Sequence, residues 1–173
     1  MFALIGIFIL GFFFNIFFLL GKFLLLAFVA FLLLDVLMLF VPGLDVVKAS
    51  REVPEKFSNG DENRVSLTVK NNYPNPITVE VIDEIPVQFQ VRDFLIREKL
   101  KSQQEKVFTY NLRPVRRGEY HFGHLNVYAI GIVGLLKRRF KSGQADMVPV
   151  YPSFLQMRKF EMYAISNRLT EIG

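Results

Sequence analysis

Between Phe2 and Phe40 the chain carries two formally charged side chains, Lys22 and Asp35, and eleven of its 19 phenylalanines. A water-soluble domain of this size has no interior large enough to hide such a run. A bilayer core roughly 30 Å thick takes about 20 apolar residues of helix. At ~1.5 Å per residue, the segments Phe2–Leu20 and Phe23–Phe40 each reach that length. Gly21-Lys22 lies between them and Pro42-Gly43 closes the second. The pattern predicts a membrane α-helical hairpin over residues 1–42: two transmembrane helices joined by a tight turn. A signal peptide would need a basic leader and an apolar stretch of only about 7–15 residues. Nothing basic precedes Phe2, and the run is more than twice too long. One long bent helix would overshoot a bilayer.

Two polar residues interrupt the spans. Asn15 lies shortly before Gly21-Lys22, and Asp35 shortly before the far end. An antiparallel hairpin puts them near opposite membrane faces, too far apart to pair. An intramembrane ionisable residue is a functional candidate by default. Asp35, however, is close enough to a helix end to reach headgroups, which favours an interfacial contact over an ion or proton pathway. Orientation follows Lys and Arg near the helix ends. Lys22 in the turn faces Lys48, Arg51 and Lys56 after the second helix. That bias places both termini and the following domain in the cytoplasm, and the turn outside.

From Gly43 onward the character changes. All but one of the 21 Lys and Arg and all but one of the 16 acids lie here, so the net charge of +5 belongs to this region. Absence of Cys rules out disulfides and thiolate metal ligands, and two His leave little for zinc. Apolar residues alternate as in half-buried strands: Val65, Leu67 and Val69; Ile77, Val79 and Val81; Phe108, Tyr110 and Leu112; Tyr120 and Phe122; then Leu125 and Val127. The parity shift between Phe122 and Leu125 predicts a bulge or bend at Gly123. "DMVPVYP" predicts a further strand, marked as an edge by Pro149. "SNGDEN", "NNYPNP", "RRGEY" and "KSGQAD" supply turn chemistry between the runs. Residues 43–152 are therefore expected to form an all-β antiparallel sandwich, immunoglobulin-like in outline, without the Cys pair and Trp of an antibody domain.

After Pro152 the period changes. Ser153 with Gln156 reads as a capping box, and Leu155, Met162, Ile165 and Leu169 recur at helical spacing. Residues 153–173 are expected to form an amphipathic helix, lying on the sandwich or leading into a domain absent from the chain.

"RPVRRGEYHFGHLNV", residues 113–127, holds the densest charge. Arg113, Arg116 and Arg117 flank the turn at Gly118, where they are candidates for a partner or for anionic lipid, or pair with acids such as Glu119 or Asp83. Lys137, Arg138 and Arg139 are the second candidate lipid or partner contact. This charge excess falls short of a nucleic-acid face. His121 and His124 point to opposite sides of an undistorted strand, and two imidazoles without a third ligand make no metal site. There is no "GxSxG" elbow and no phosphate-binding "GxxxxGK[ST]" loop. The adjacent acids at Asp61–Asn63 and Asp83-Glu84 are expected to be solvated in turns. No catalytic residue, metal or cofactor is predicted.

Two apolar spans, then "REVPEKFSNGDENRVSLTVKNNYPNPITVEVIDEIP", "YNLRPVRRGEYHFGHLNVY", "GLLKRRF" and "VPVYPSF", follow one another in a specific order. This order resembles the N-terminal half of the bacterial "domain of unknown function 58" family. The residues that carry the resemblance are Arg113-Pro114, Arg116-Arg117-Gly118-Glu119-Tyr120 with Phe122-Gly123, Gly134-Leu135, and Val150-Tyr151-Pro152. Many members carry an acidic residue and Pro before the Gly-Leu pair, where this chain has Gly131-Ile132-Val133. Members continue into the core that names the family and then into a von Willebrand factor A-like domain, so the chain resembles their first part only. The resemblance implies a multi-pass protein of the bacterial cell membrane, linked to MoxR-type AAA+ ATPases and active in the assembly or maturation of other proteins. The expected function is thus a non-enzymatic anchor and interaction module whose partners are the lipid bilayer and other proteins. The alternative is an accessory subunit of a membrane transporter or membrane-bound enzyme, with Asp35 acting inside the bilayer.

Overall fold

A computed structural model describes residues 2–12, 14–143 and 145–152. It opens with α1 (Phe2–Gly11) and α2 (Asn15–Phe40). Ten strands follow: β1 (Val47–Glu52), β2 (Phe57–Ser58), β3 (Asn63–Asn71), β4 (Ile77–Asp83), β5 (Ile96–Leu100), β6 (Glu105–Leu112), β7 (Gly118–His121), β8 (Leu125–Ile130), β9 (Lys137–Ser142) and β10 (Met147–Tyr151). The expected helix over 153–173 lies outside the described residues.

The N-terminal arrangement corrects the two-span hairpin. No turn forms at Gly21-Lys22; α2 runs unbroken through both for 26 residues. It is the one described helix long and apolar enough to cross a membrane. A single glycine costs a helix only about 1 kcal/mol, and nothing else at that point breaks it. Gly21 is used instead for packing: a Cβ there would sit 3.2 Å from the Phe8 ring. Lys22 lays its ammonium over the Phe18 ring at 4.4 Å. The helix break falls between Gly11 and Asn15, and α1, at ten residues about 15 Å long, is half the length of a span. It packs on the N-terminal part of α2, with Phe8 and Phe18 edge to face at 6.1 Å.

The strands form a two-layer sandwich. One layer is the antiparallel sheet β1-β3-β6. The other is made of two sheets, β5-β4-β8-β9, antiparallel throughout, and β2-β10-β7. The alternation in β3 and β4 is borne out: Val65, Leu67, Val69, Val79 and Val81 are fully buried. Leu67 and Val69 meet Val79, Val81, Val127 and Ala129 in the larger core cluster. Val65 and Leu112 meet Phe57, Tyr120, Phe122 and Val148 in the smaller one.

Two strand expectations change. The parity shift at Gly123 is not a bulge within one strand. It is a crossing between sheets: β7 ends in one and β8 begins in the other. Gly123 is needed there because a Cβ would collide with the Glu84 side chain. Nor is β10 an edge strand, since it lies between β2 and β7. β2 pairs only with Val150 and Tyr151, so Pro149 sits where β10 has one neighbour and its missing N–H breaks no ladder on the other side.

Candidate functional site at the helix and sandwich junction

α2 is hydrophobic on all sides, with no polar face to turn toward water. Its last turns nevertheless dock on the sandwich through polar bonds. Asp35 is 0 % exposed. Its Oδ2 accepts the backbone N–H groups of Leu135 and Leu136, at 2.9 and 2.8 Å. Oδ1 is buried with no hydrogen-bond partner among the described residues. It faces Gly131, where a Cβ would collide with it. Asp35 thus holds the β9 end of the apolar loop Gly131–Leu136 between β8 and β9 and lies against Gly131 at the other end, rather than reaching toward headgroups.

One turn further on, the carbonyl of Leu39 is among the four that every helix leaves without an internal partner. It accepts the Tyr73 hydroxyl at 2.7 Å and Arg138 Nη1 at 2.5 Å. A cation at this end is also favoured by the helix dipole. The Arg138 guanidinium lies over the rings of Phe40 and Phe140, at 5.2 and 4.9 Å, and the Leu39 side chain enters the larger core cluster. Tyr73 is placed by Asn71, whose Oδ1 accepts the Tyr73 N–H at 2.9 Å. Burial raises the Tyr73 phenol above its ordinary pKa, and the nearby Arg138 charge opposes this in part.

A second polar cluster braces the two layers. Arg51 Nη1 on β1 donates to Asp83 Oδ1 on β4 at 2.6 Å, both side chains being buried. Arg51 Nη2 donates to the Gly123 carbonyl at 3.0 Å and Asp146 Oδ2 at 3.1 Å. The guanidinium stacks over Phe122 at 4.6 Å. The Tyr110 hydroxyl donates to Asp83 Oδ2 at 2.5 Å. Burial, then the Asp83 charge, holds the Tyr110 phenol far above its usual range. Asp83 is therefore not a solvated turn acid. Its neighbour Glu84 is exposed but hydrogen-bonded, accepting the His124 N–H and Asn126 Nδ2, each at 2.8 Å. Those bonds hold the Glu84 carboxyl below the ordinary carboxylate range.

The basic residues singled out from the sequence are dispersed. Arg113 Nε donates to the Gly60 carbonyl at 2.6 Å. Arg116 and Arg117 are exposed at the turn before β7. Lys137 pairs with Glu80 at 2.6 Å, Arg139 donates twice to Asn126 Oδ1, and Arg138 is buried at the junction. His121 is exposed, 3.7 Å from Glu119, and His124 Nδ1 lies 3.4 Å from the Gly143 carbonyl. Asn15 is exposed at the start of α2. Among the described residues no three His, Cys, Asp or Glu side chains gather as metal ligands. A cavity of about 520 Å³ is an open groove between β1 and β9, lined in part by Lys48, Arg139 and Lys141.

Arg51 and Asp83 escaped the sequence reading as a pair, yet a signal existed. Asp83 continues the inward series Ile77, Val79, Val81, and Arg51 continues Val47 and Ala49. Two opposite charges on inward phases of neighbouring runs are the mark of a buried ion pair.

These features define a class: a mostly antiparallel β-sandwich, with β2 and β10 its parallel pair, carried on an apolar helix and locked to it by Asp35, Tyr73 and Arg138. No protein-family model matches the chain, and no curated protein does. Several solved structures are similar at low identity. The CARDB domain of a Pyrococcus furiosus protein, in complex with di-metal ions, is 16% identical over 61% of this chain and 87% of its own, with a TM-score of 0.43. Native α2-macroglobulin from Escherichia coli, from domain MG7 to the C-terminus, is 17% identical over 61% of this chain and 16% of that one, at 0.49. A PapD-like domain of human CEP192 is 18% identical over 58% and 85%, at 0.41. The sandwich described above rests on its own strand pairing.

Proposed function

We propose that the chain is a membrane-anchored, non-enzymatic interaction module of a bacterial cell membrane: α2 crosses the bilayer once and the sandwich presents a rigid surface to protein partners. The observation that carries this reading is the lock between α2 and the sandwich. Asp35, Leu39, Tyr73 and Arg138 use the helix end as part of the domain, which suits an anchor that must hold its domain in one orientation. The same bonds weigh against Asp35 as a transport or catalytic group, since its Oδ2 is already bound to two backbone N–H groups. Lys48 and Lys56 after the helix favour the cytoplasmic side for the sandwich. The resemblance described above makes a MoxR-type AAA+ ATPase the first partner to try.

Extraction of membranes with alkaline carbonate tests the anchor: the chain is expected to stay in the pellet, and its release would refute the reading. Cysteine placed at exposed Thr109 in this Cys-free chain tests the side. It is expected to react with an impermeant thiol reagent only after the cells are permeabilised. Binding of a purified MoxR-type ATPase to the chain in nanodiscs tests the partner, and no binding with or without nucleotide would remove it.

A further inference from the structure

The loop Gly131–Leu136, sequence "GIVGLL", contains no polar side chain. Ile132 is 61% exposed and Leu135 44%. A loop between strands normally meets water and is polar to suit; this one offers hydrocarbon. Its place explains why. Asp35 fixes it beside α2, five residues before the helix ends at Phe40, about 8 Å along the axis. The apolar surface of the helix does not stop at the level of the loop: Leu37, Phe40, Val41 and Leu44 beyond it are all exposed. Whatever covers those side chains therefore reaches past the loop as well. In a chain anchored by α2 that cover is lipid.

Irregular backbone tolerates lipid only where its N–H groups find partners within the protein. Asp35 supplies the acceptor for two of them. This accounts for an acid inside an otherwise apolar helix, and for Gly131, the residue that leaves room for its carboxyl. The charged run resumes immediately after the loop at Lys137, with Lys48 and Lys141 along the neighbouring groove, as suits headgroup level.

We propose that the loop Gly131–Leu136 is a second membrane contact, inserted beside α2 with Ile132 and Leu135 in the acyl region of the bilayer and the Leu135 and Leu136 N–H groups bound by Asp35. This rests on the anchor reading above. It makes the attachment two-point, so the sandwich neither swivels about α2 nor lifts from the surface.

The chain has no Trp, so a single introduced one reports its own surroundings. Ile132→Trp and, independently, Leu135→Trp are reconstituted in phosphatidylcholine/phosphatidylglycerol vesicles, with or without acyl chains brominated near the headgroup end. Leu26→Trp serves as the lipid control and Val107→Trp as the water control. Trp at 132 or 135 is expected to emit to the blue of the Val107→Trp control. It is also expected to lose more than about half its intensity to brominated lipid, as befits a side chain some 5–10 Å below the surface. Water-like emission from both variants, in chain that resists alkaline carbonate, overturns the loop proposal and leaves the anchor standing. Blue-shifted emission untouched by bromine would put protein, a second copy included, on the loop, and also overturns it. Release of the chain by carbonate would remove anchor and loop contact together.

Discussion

Asp35 and Leu136 are 101 positions apart in the chain, and the carboxyl of the first accepts the backbone N–H of the second at 2.8 Å. With the parallel bond from Leu135, this joins the apolar helix to the far edge of the sandwich. The junction is built from side chains that look out of place locally: an acid in a hydrophobic helix, and an arginine buried at its end.

Asp35→Ala should loosen this junction without unfolding the sandwich. Two partly buried N–H groups lose their acceptor, at a combined cost of about 3 kcal/mol. Hydrogen exchange in detergent micelles should show the Leu135 and Leu136 amides exchanging about 100-fold faster, while the β3 amides are unchanged. Asp35→Asn keeps an acceptor oxygen and should keep most of the protection. Equal exchange in all three proteins would show that the bonds are dispensable.

Arg51→Met leaves the Asp83 carboxylate buried without its cation. The expected loss of stability is about 3–5 kcal/mol, read as a lower denaturant midpoint for the sandwich of the full chain in micelles. Combining it with Asp83→Leu should cost less than the two single changes added together, because the double variant strands no charge. Strict additivity would mean that the two groups do not interact.

Tyr73 and Tyr110 have phenols raised above the ordinary value near 10. The fold therefore favours their neutral forms. The stability they lend is complete below about pH 10 and is lost as pH rises beyond it, since the unfolded chain gives up these protons first. Of the six tyrosines, these two should form phenolate only as the tertiary circular dichroism disappears. Tyr110→Phe should move that alkaline transition upward. Six tyrosines titrating together before unfolding would contradict the burial.

Glu84 works in the opposite direction. Its carboxyl is lowered by the His124 N–H first and Asn126 second, so its contribution is present above the ordinary carboxylate value of about 4.3. It fades as pH falls through the lower folded value. Glu84→Gln should flatten the acid limb of the stability profile. Gly123→Ala should displace the same side chain, at about 1–3 kcal/mol for the crowding, and a neutral result would mean that the crossing between β7 and β8 yields more easily than its geometry suggests.

Much of the sandwich was legible because a strand reports its buried face through alternation. Val65, Leu67, Val69, Val79 and Val81 needed no knowledge of their partners to be placed inside. The helix was legible as apolar and long, but its breaks were not. Gly21-Lys22 has the composition of a turn, and only the packing of Phe8 against Gly21 and of Lys22 over Phe18 shows why the helix continues through it. Pro149 pointed to an edge because sequence carries no count of neighbouring strands, and β2 is too short to announce itself.

The sequence by itself determined that an apolar helix precedes a β-sandwich, since hydrophobic run length and period two are local and set by the geometry of one segment at a time. Only the tertiary structure decided that Asp35, Leu39, Tyr73 and Arg138 form one junction and that Arg51 meets Asp83. Those are contacts between distant segments, and a buried charge shows its role only when the group that satisfies it is in place.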